Sequence, residues 1–370
     1  SPGRAAAAST RSDHAGPAMH RSRLRRRAGA SLRPRRPTPS GTLSPEAFAW
    51  LARNHAAGVD ERELLDALSS GGVPRLAAAE ALASLSGSGL GAAYFDALRA
   101  LDRATELVEL RASLRRSSPG IETLEACPEP DAFYARYWST NTPVVLRGFT
   151  RAWPRPPRWI FDDLRSRFGA RSVEVAAGRD TRTDPDVDFA GLRSTIRFEE
   201  LVRRVLETSG NDTYVVARNR VLEEALPELL DELEPPPGLF DPALRRSGIS
   251  LWLGPRGTST KLHHDGTNNL FTQVLGSKRV RLAPPELLEL AAGANGYYAR
   301  MNAAELEALR PGSVSEIELG PGDGLFIPIG WWHEVESLSP SLSLALVGFP
   351  RPNVYDFLPG RPRWRRPTRG

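Results

Sequence analysis

The sequence predicts a mainly β chain, a double-stranded β-helix (jelly roll) preceded by an N-terminal helical region. Three observations carry this. From Ile249 onward, short apolar runs alternate with Gly and Pro turns: Ile249–Leu253, Asn269–Leu275, Arg279–Leu282, Val314–Leu319, Leu325–Ile329 and Leu342–Val347. Many short strands so punctuated favour a sandwich or jelly roll. Residues 42–116 instead repeat Leu and Ala at helical spacing. Finally, two polar segments far apart in the chain each carry histidine within strand-like surroundings, so a fold must bring them together.

Composition bounds the rest. The 370 residues suffice for one to three domains, and the 64 Gly and Pro residues suit a loop-rich globular protein. The single cysteine, Cys127, excludes an internal disulfide framework and a clustered-cysteine zinc site. A reducing cytoplasm is the simplest location, and no apolar run reaches transmembrane length. The net charge of +5 is unevenly placed. Residues 1–37 hold ten Arg and one Asp, so the remainder carries 39 basic against 43 acidic residues. Only Lys261 and Lys278 are lysines, both near the histidine segments.

In chain order, residues 1–40 read as a disordered, Arg-rich tail that could hold nucleic acid or an acidic surface by charge. Met19 is an alternative start, and no apolar segment follows the arginines as a signal peptide requires. Residues 41–116 form the helical domain, opened by the capping signal Ser44-Pro45-Glu46 and broken by Gly71-Gly72. Packing, dimerisation or substrate recognition would each suit it. Residues 117–120 read as a linker. Residues 120–352 form the main domain and 353–370 a C-terminal tail.

Within the main domain, Pro143–Gly148 reads as a buried strand, Asp162–Phe168 as helix, Ser172–Val175 as strand, Phe198–Leu206 as helix and Thr213–Val216 as strand. The polar loop 178–191, with Asp180, Asp184, Asp186 and Asp188, is either a cover over a substrate or a solvated turn. The acidic stretch Glu223–Glu234 favours a basic peptide or the chain's own Arg-rich tail, unless it is an ordinary solvated helix face.

The chemistry is concentrated in Gly257–Gly266 and Gly322–His333. His263 and Asp265 are two residues apart and share one side of an extended segment. His333 comes from a distant strand. Two imidazoles and one carboxylate form the facial triad of non-haem Fe(II) oxygenases, which leaves coordination positions open. 2-Oxoglutarate and dioxygen fit those positions as cosubstrates. The far carboxylate of 2-oxoglutarate needs a cation and a hydroxyl. Lys278, after the Gly276 turn, and Thr260, three residues before His263, are the best candidates, against the alternatives of a surface lysine and a plain turn threonine. Lys261 and His264 leave the opposite face. Asn269 and Tyr214 are further contacts, a strand cap and core packing being their plainer roles. Trp331-Trp332 could wall the pocket, with one of them packing the sheet.

These segments resemble the JmjC-type, cupin-like family of Fe(II)- and 2-oxoglutarate-dependent oxygenases, nearest its protein- and asparaginyl-hydroxylase branch. The resemblance covers about residues 120–352 and is strongest over Gly257–Asn269, Gly276–Lys278 and Pro321–His333. It implies iron ligation by His263, Asp265 and His333, and cosubstrate contacts from Thr260, Lys278, Asn269 and Tyr214. One departure stands out: Gly348 occupies a position where that branch often has asparagine. The resemblance implies hydroxylation of a protein or peptide side chain, with succinate and carbon dioxide as coproducts, and allows a homodimer. The alternatives are oxidation of a small molecule or RNA base, N-methyl demethylation by the same oxidant, and a cupin that binds without catalysis.

Overall fold

The computed structural model describes residues 43–56, 58–87, 89–116, 120–287 and 297–353. The expected N-terminal tail, the linker residues 117–119 and nearly all of the C-terminal tail lie outside them. The chain divides into two compact units at Val108/Glu109.

The first unit is helical: α1 (Pro45–Ala56), α2 (Glu61–Ser70), α3 (Arg75–Gly87) and most of α4 (Gly89–Arg116). Ser44 caps α1 as its sequence predicts, its hydroxyl accepting from the Ala47 amide at 3.2 Å. Asp60 caps α2 through the Arg62 and Glu63 amides. Leu51, Leu64, Leu68, Ala78, Leu82 and Leu85 form its core.

The second unit is built on two sheets. The larger has the order β1-β2-β10-β7-β12-β5 and the smaller β6-β11-β8-β9. The strands are β1 (Glu122–Leu124), β2 (Val144–Leu146), β5 (Ile249–Gly254), β6 (Ser259–His264), β7 (Asn269–Leu275), β8 (Lys278–Ala283), β9 (Ser315–Leu319), β10 (Gly324–Ile327), β11 (Trp332–Ser337) and β12 (Ser341–Leu346); β3 (Ser172–Ala176) and β4 (Arg193–Arg197) form a separate hairpin. From β5 to β12 the chain keeps switching between the two sheets, an order consistent with the jelly-roll expectation. No hydrogen-bonded closure joins the sheets among the described residues.

Period-2 alternation decides what each face holds. On β7, Leu270 and Val274 face an outer core shared with Phe198, Leu201, Val205 and Leu230. Phe271 faces the other way, into a core between the sheets with Val280, Leu282, Leu325, Ile327 and Val335. The expectation of a mainly β chain therefore holds only for this centre. Helices α5 (Pro130–Phe133), α6 (Phe161–Phe168) and α7 (Phe198–Glu207), with shorter turns, cover the large sheet, and the whole is mixed α/β.

One local reading needs correction. Thr213–Val216 is not a regular strand: Tyr214 and Val215 make single bridges, to Ala176 and Leu253. In the acidic stretch, Glu228 pairs with Arg171, Glu232 with Arg167, and Glu223 and Glu224 share Arg220, while Glu224 and Glu228 stay largely exposed.

Candidate metal centre and cosubstrate pocket

The metal ligands come together because β6 pairs with β11. His263 lies opposite His333, and the two rings are 4.1 Å apart between centroids. On the outer faces, Leu262 and Trp332 pack with Ala283 and Leu306, which turns both histidines inward. Asp265 follows directly after β6. Its Oδ1 lies 3.9 Å from His263 Nε2 and its Oδ2 3.7 Å from His333 Nε2. Candidate donor atoms from all three residues lie within 4.8 Å of one another.

The tautomers suit a cation. His263 Nδ1 is 2.7 Å from the Lys261 carbonyl oxygen, and His333 Nδ1 is 3.0 Å from that of Trp331. A carbonyl only accepts, so each Nδ1 must carry the proton. Each Nε2 is then a free lone pair turned to the Asp265 carboxylate, the arrangement metal-bound histidines use. Burial and the neighbouring His263 push His333 down to about 4, which keeps it neutral at ordinary pH.

A β-bulge organises the next part of the pocket. In a regular strand Thr260 and His263, three apart, would face opposite sides. The register slips between His333 and Val335, so that Thr260 lies opposite Val335, on the interior side with His263. Lys261 is thereby turned outward, as expected, and its ammonium pairs with Asp184 at 2.6 Å.

Lys278 opens β8, opposite Ser337 on β11. Gly276 permits the turn before it: its φ is +70°, and a Cβ there would collide with the Pro340 carbonyl. The Lys278 side chain is 0% exposed. Its ammonium donates to the Tyr214 hydroxyl at 3.0 Å and lies over the Tyr214 and Phe271 rings. No carboxylate pairs with it among the described residues. Burial alone drives it down to about 7. The Thr260 hydroxyl lies beside the same phenol and favours its ionised form, so Thr260, Tyr214 and Lys278 form one polar cluster.

Asn269 is buried at the start of β7, and its Oδ1 has no hydrogen-bond partner. Amide rotation exchanges Oδ1 and Nδ2, so this side chain can present either a donor or an acceptor.

His264 packs on Trp332 and Tyr297, away from the centre, as expected. Of the two adjacent tryptophans, one packs the sheet, also as expected. Trp331 is in the inter-sheet core, with its indole N–H on Asn141, and Trp332 packs the outer face. The aromatic beside Phe271 is Trp252, which sequence reading did not single out. Gly348 lies just past β12 against Phe240, Leu244 and Gly248, where a side chain has no room. The buried Asn353 was missed too. Its Oδ1 accepts from the Asn268 amide and its Nδ2 donates to the Asn268 carbonyl, while Asn268 Oδ1 holds the Ile329 amide. This pair fixes the loop after Asp265 against the loop before His333.

A surface recess of about 630 Å³ between α6, β4 and α7 is lined by Arg165, Arg197, Glu199, Glu200 and Arg203. It lies outside the sheet that carries the triad, and local ion pairs hold several of its charges.

A family described as "Cupin-like domain" matches residues 130–347, more than half of the chain. The chain belongs to this family. The cupin-like chain is 28% identical over 237 residues to "Lysine-specific demethylase 8" of Danio rerio, covering 59% of this chain and 56% of that protein. It is 30% identical over 226 residues to "Lysine-specific demethylase JMJ30" of Arabidopsis thaliana, covering 58% and 52%. Identity to "Jumonji C domain-containing protein 5" of Drosophila melanogaster is 26% over 253 residues, covering 62% and 60%. The match thus spans little more than half the length of these relatives. The cupin-like chain carries the 2-His-1-carboxylate triad typical of Fe(II)- and 2-oxoglutarate-dependent dioxygenases. No helix among the described residues is long and apolar enough to cross a membrane.

Proposed function

We propose that this protein is an Fe(II)- and 2-oxoglutarate-dependent oxygenase that acts on a protein side chain. The observation that carries the reading is the pairing of two features in one inter-sheet space. One is a triad whose two Nε2 lone pairs and one carboxylate face each other. The other is a fully buried lysine with no carboxylate partner among the described residues.

The donor set of two nitrogens and one carboxylate oxygen fits Fe(II) and leaves open positions. When bound, iron with 2-oxoglutarate and dioxygen supplies oxidative decarboxylation to succinate and carbon dioxide, coupled to insertion of one oxygen atom into a substrate C–H bond. The protein's part is to bind, orient and exclude. His263, Asp265 and His333 hold the metal. Lys278 supplies the charge for the far carboxylate, and the hydroxyls of Thr260 and Tyr214 donate to it. An arriving carboxylate also restores the ammonium, because it replaces apolar walls with a counter-charge. Asn269, rotated to present Nδ2, donates to a carboxylate nearer the metal.

Two outcomes follow from the same insertion. On a side-chain carbon the hydroxyl stays. On an N-methyl carbon the product loses formaldehyde and the amine is demethylated. Two of the relatives above are named lysine-specific demethylases, which moves weight from stable hydroxylation by an asparaginyl-hydroxylase-like enzyme to the N-methyl outcome. The test is turnover with Fe(II), ascorbate and 2-oxoglutarate on peptides bearing lysine or N-methyl-lysine. Succinate with formaldehyde supports demethylation, and succinate with a retained oxygen atom supports hydroxylation. No turnover above a His263→Ala control, with 2-oxoglutarate failing to bind, overturns the oxygenase reading.

A further inference from the structure

The polar loop between β3 and β4 is more than a solvated turn, because part of it is buried. Arg179 is 1% exposed and Asp186 8% exposed, and Arg179 Nη2 donates to Asp186 Oδ1 at 2.9 Å. A buried ion pair of this kind is a poor source of net stability, because desolvation of both charges offsets their attraction. Its connections give it another role.

Several other contacts of the pair lead to the site, while Arg179 Nε donates to Asn211 Oδ1 at 3.2 Å, an oxygen that also accepts from the Ser259 amide. The second oxygen of Asp186, Oδ2, accepts from the Lys261 backbone amide at 2.8 Å. The carbonyl of that same residue holds His263 Nδ1. Arg179 Nη2 also donates to the Ser259 carbonyl at 2.9 Å, one residue before Thr260. The Lys261 anchor falls within the bulge between Thr260 and His263, where register is least fixed by the ladder, and the Ser259 anchor lies just before it. The Arg179 guanidinium also lies over the Tyr214 ring, 5.5 Å from its centroid. Finally, the Asp186 carbonyl accepts from Arg218, whose other nitrogen donates to the Tyr298 hydroxyl at 2.9 Å. Tyr298 stacks on His263, at 5.6 Å and 29°.

We infer that Asp186, held by Arg179, is a positioning residue for the metal centre: it fixes the bulged β6 segment so that His263 Nε2 faces the Asp265 carboxylate. This rests on the proposed metal site. Asp186 touches neither metal nor cosubstrate and acts through Lys261 and His263. Removing its carboxylate frees the Lys261 amide and leaves Arg179 buried without its counter-ion. The bulge is then free to slip, and a slip of one residue turns a side chain to the other face.

The test uses the whole chain with Co(II) as the probe, read by visible absorption and by titration, alongside circular dichroism and melting. Asp186→Ala is expected to weaken Co(II) binding by roughly 10–100-fold, the range for loss of an outer partner of a metal-bound histidine, and to alter the Co(II) spectrum. Asp186→Asn keeps an acceptor for the Lys261 amide and should recover much of that loss. Glu228→Gln breaks an exposed ion pair of the same unit and should change nothing in the spectrum. If Asp186→Ala does not fold, Arg179→Lys, which loosens the hold on the Asp186 carboxylate, decides through the spectrum alone. A folded Asp186→Ala or Arg179→Lys variant that binds Co(II) with the parent's affinity and spectrum overturns the inference while leaving the metal site standing. A parent protein that does not bind Co(II) overturns both.

Discussion

Asp265 keeps 40% of its side-chain exposure beside His263 and His333, whereas Lys278 keeps none. The two ends of one pocket thus solve opposite problems. At the metal end, three neutral or anionic donors converge where strands meet a loop, and backbone carbonyls settle the tautomers. At the lysine end, a group that prefers water is enclosed by rings and one phenol. His333 and Lys278 lie on the interior faces of adjacent strands, four register positions apart, or about 13 Å along the ladder. On the proposed reading, the open end takes metal and substrate and the closed end takes an anion. The cost of burying Lys278 without a counter-charge falls on the unliganded state.

The largest expected effect separates the ends outright. His333→Ala removes a ligand from the metal end and leaves Lys278 untouched. Co(II) binding should fall by more than the roughly 10–100-fold that loss of an outer partner costs, and 2-oxoglutarate turnover should vanish. Retained turnover would show that the triad is not the reaction centre. Lys278→Met is the converse. It should abolish 2-oxoglutarate binding by calorimetry while leaving Co(II) binding near the parent's. Because it replaces a buried cation with an apolar chain, it should also raise unliganded stability at neutral pH. The gap between 10.5 and about 7, at about 1.4 kcal/mol per pH unit, makes that gain a few kcal/mol at most. Loss of both ligands together would mean the ends are not separable.

How much of this the sequence could show follows the same division. His263, Asp265 and His333 were legible because ligand chemistry restricts residue type and strand period restricts spacing. Lys278 was legible because a chain with two lysines makes each conspicuous. The strands β7 and β9 matched their apolar runs to within a residue at each end. The β6 bulge was not legible, since an added residue leaves no mark on local propensity, yet it places Thr260. Asp186 read as one of four loop carboxylates, and only the fold reveals that its partners are Arg179 and the Lys261 amide. Nor could the sequence show which acids of the Glu223–Glu234 stretch are ion-paired, because the arginines that pair with them lie outside it. Trp252 was overlooked because a tryptophan within a β run usually means sheet packing.

A pH series sharpens the comparison at lower energy. The folded-state value of Lys278 lies below that of the unfolded chain. Between about 7 and 10.5 the unfolded chain therefore binds more protons, so the Lys278 contribution to stability rises with pH across that window. Below the window its cost is fully present, and above it the cost is gone. Urea unfolding of the unliganded protein at pH 7 and pH 9 should show less of this rise in Lys278→Met than in the parent. 2-Oxoglutarate binding should take up a proton near pH 8, giving a binding heat that depends on the buffer's ionisation enthalpy. Equal pH slopes in both proteins would mean that Lys278 is charged without a ligand.

The smallest expected effect is at Tyr214, whose hydroxyl joins Lys278 to Thr260. Tyr214→Phe keeps the ring beneath Arg179 and Lys278, so packing and cation–π contacts survive. It removes one hydroxyl from a buried cluster, a change worth about 0.5–1.5 kcal/mol for a neutral hydrogen bond. If Tyr214 belongs to the lysine end, the KM for 2-oxoglutarate should rise a few-fold to about tenfold, with kcat and Co(II) affinity near the parent's. A fall in Co(II) affinity without a change in that KM would place Tyr214 with Arg179 and Asp186 instead, as part of what fixes β6. The same variant therefore locates the boundary between the two ends, which the Arg179–Tyr214 contact brings together.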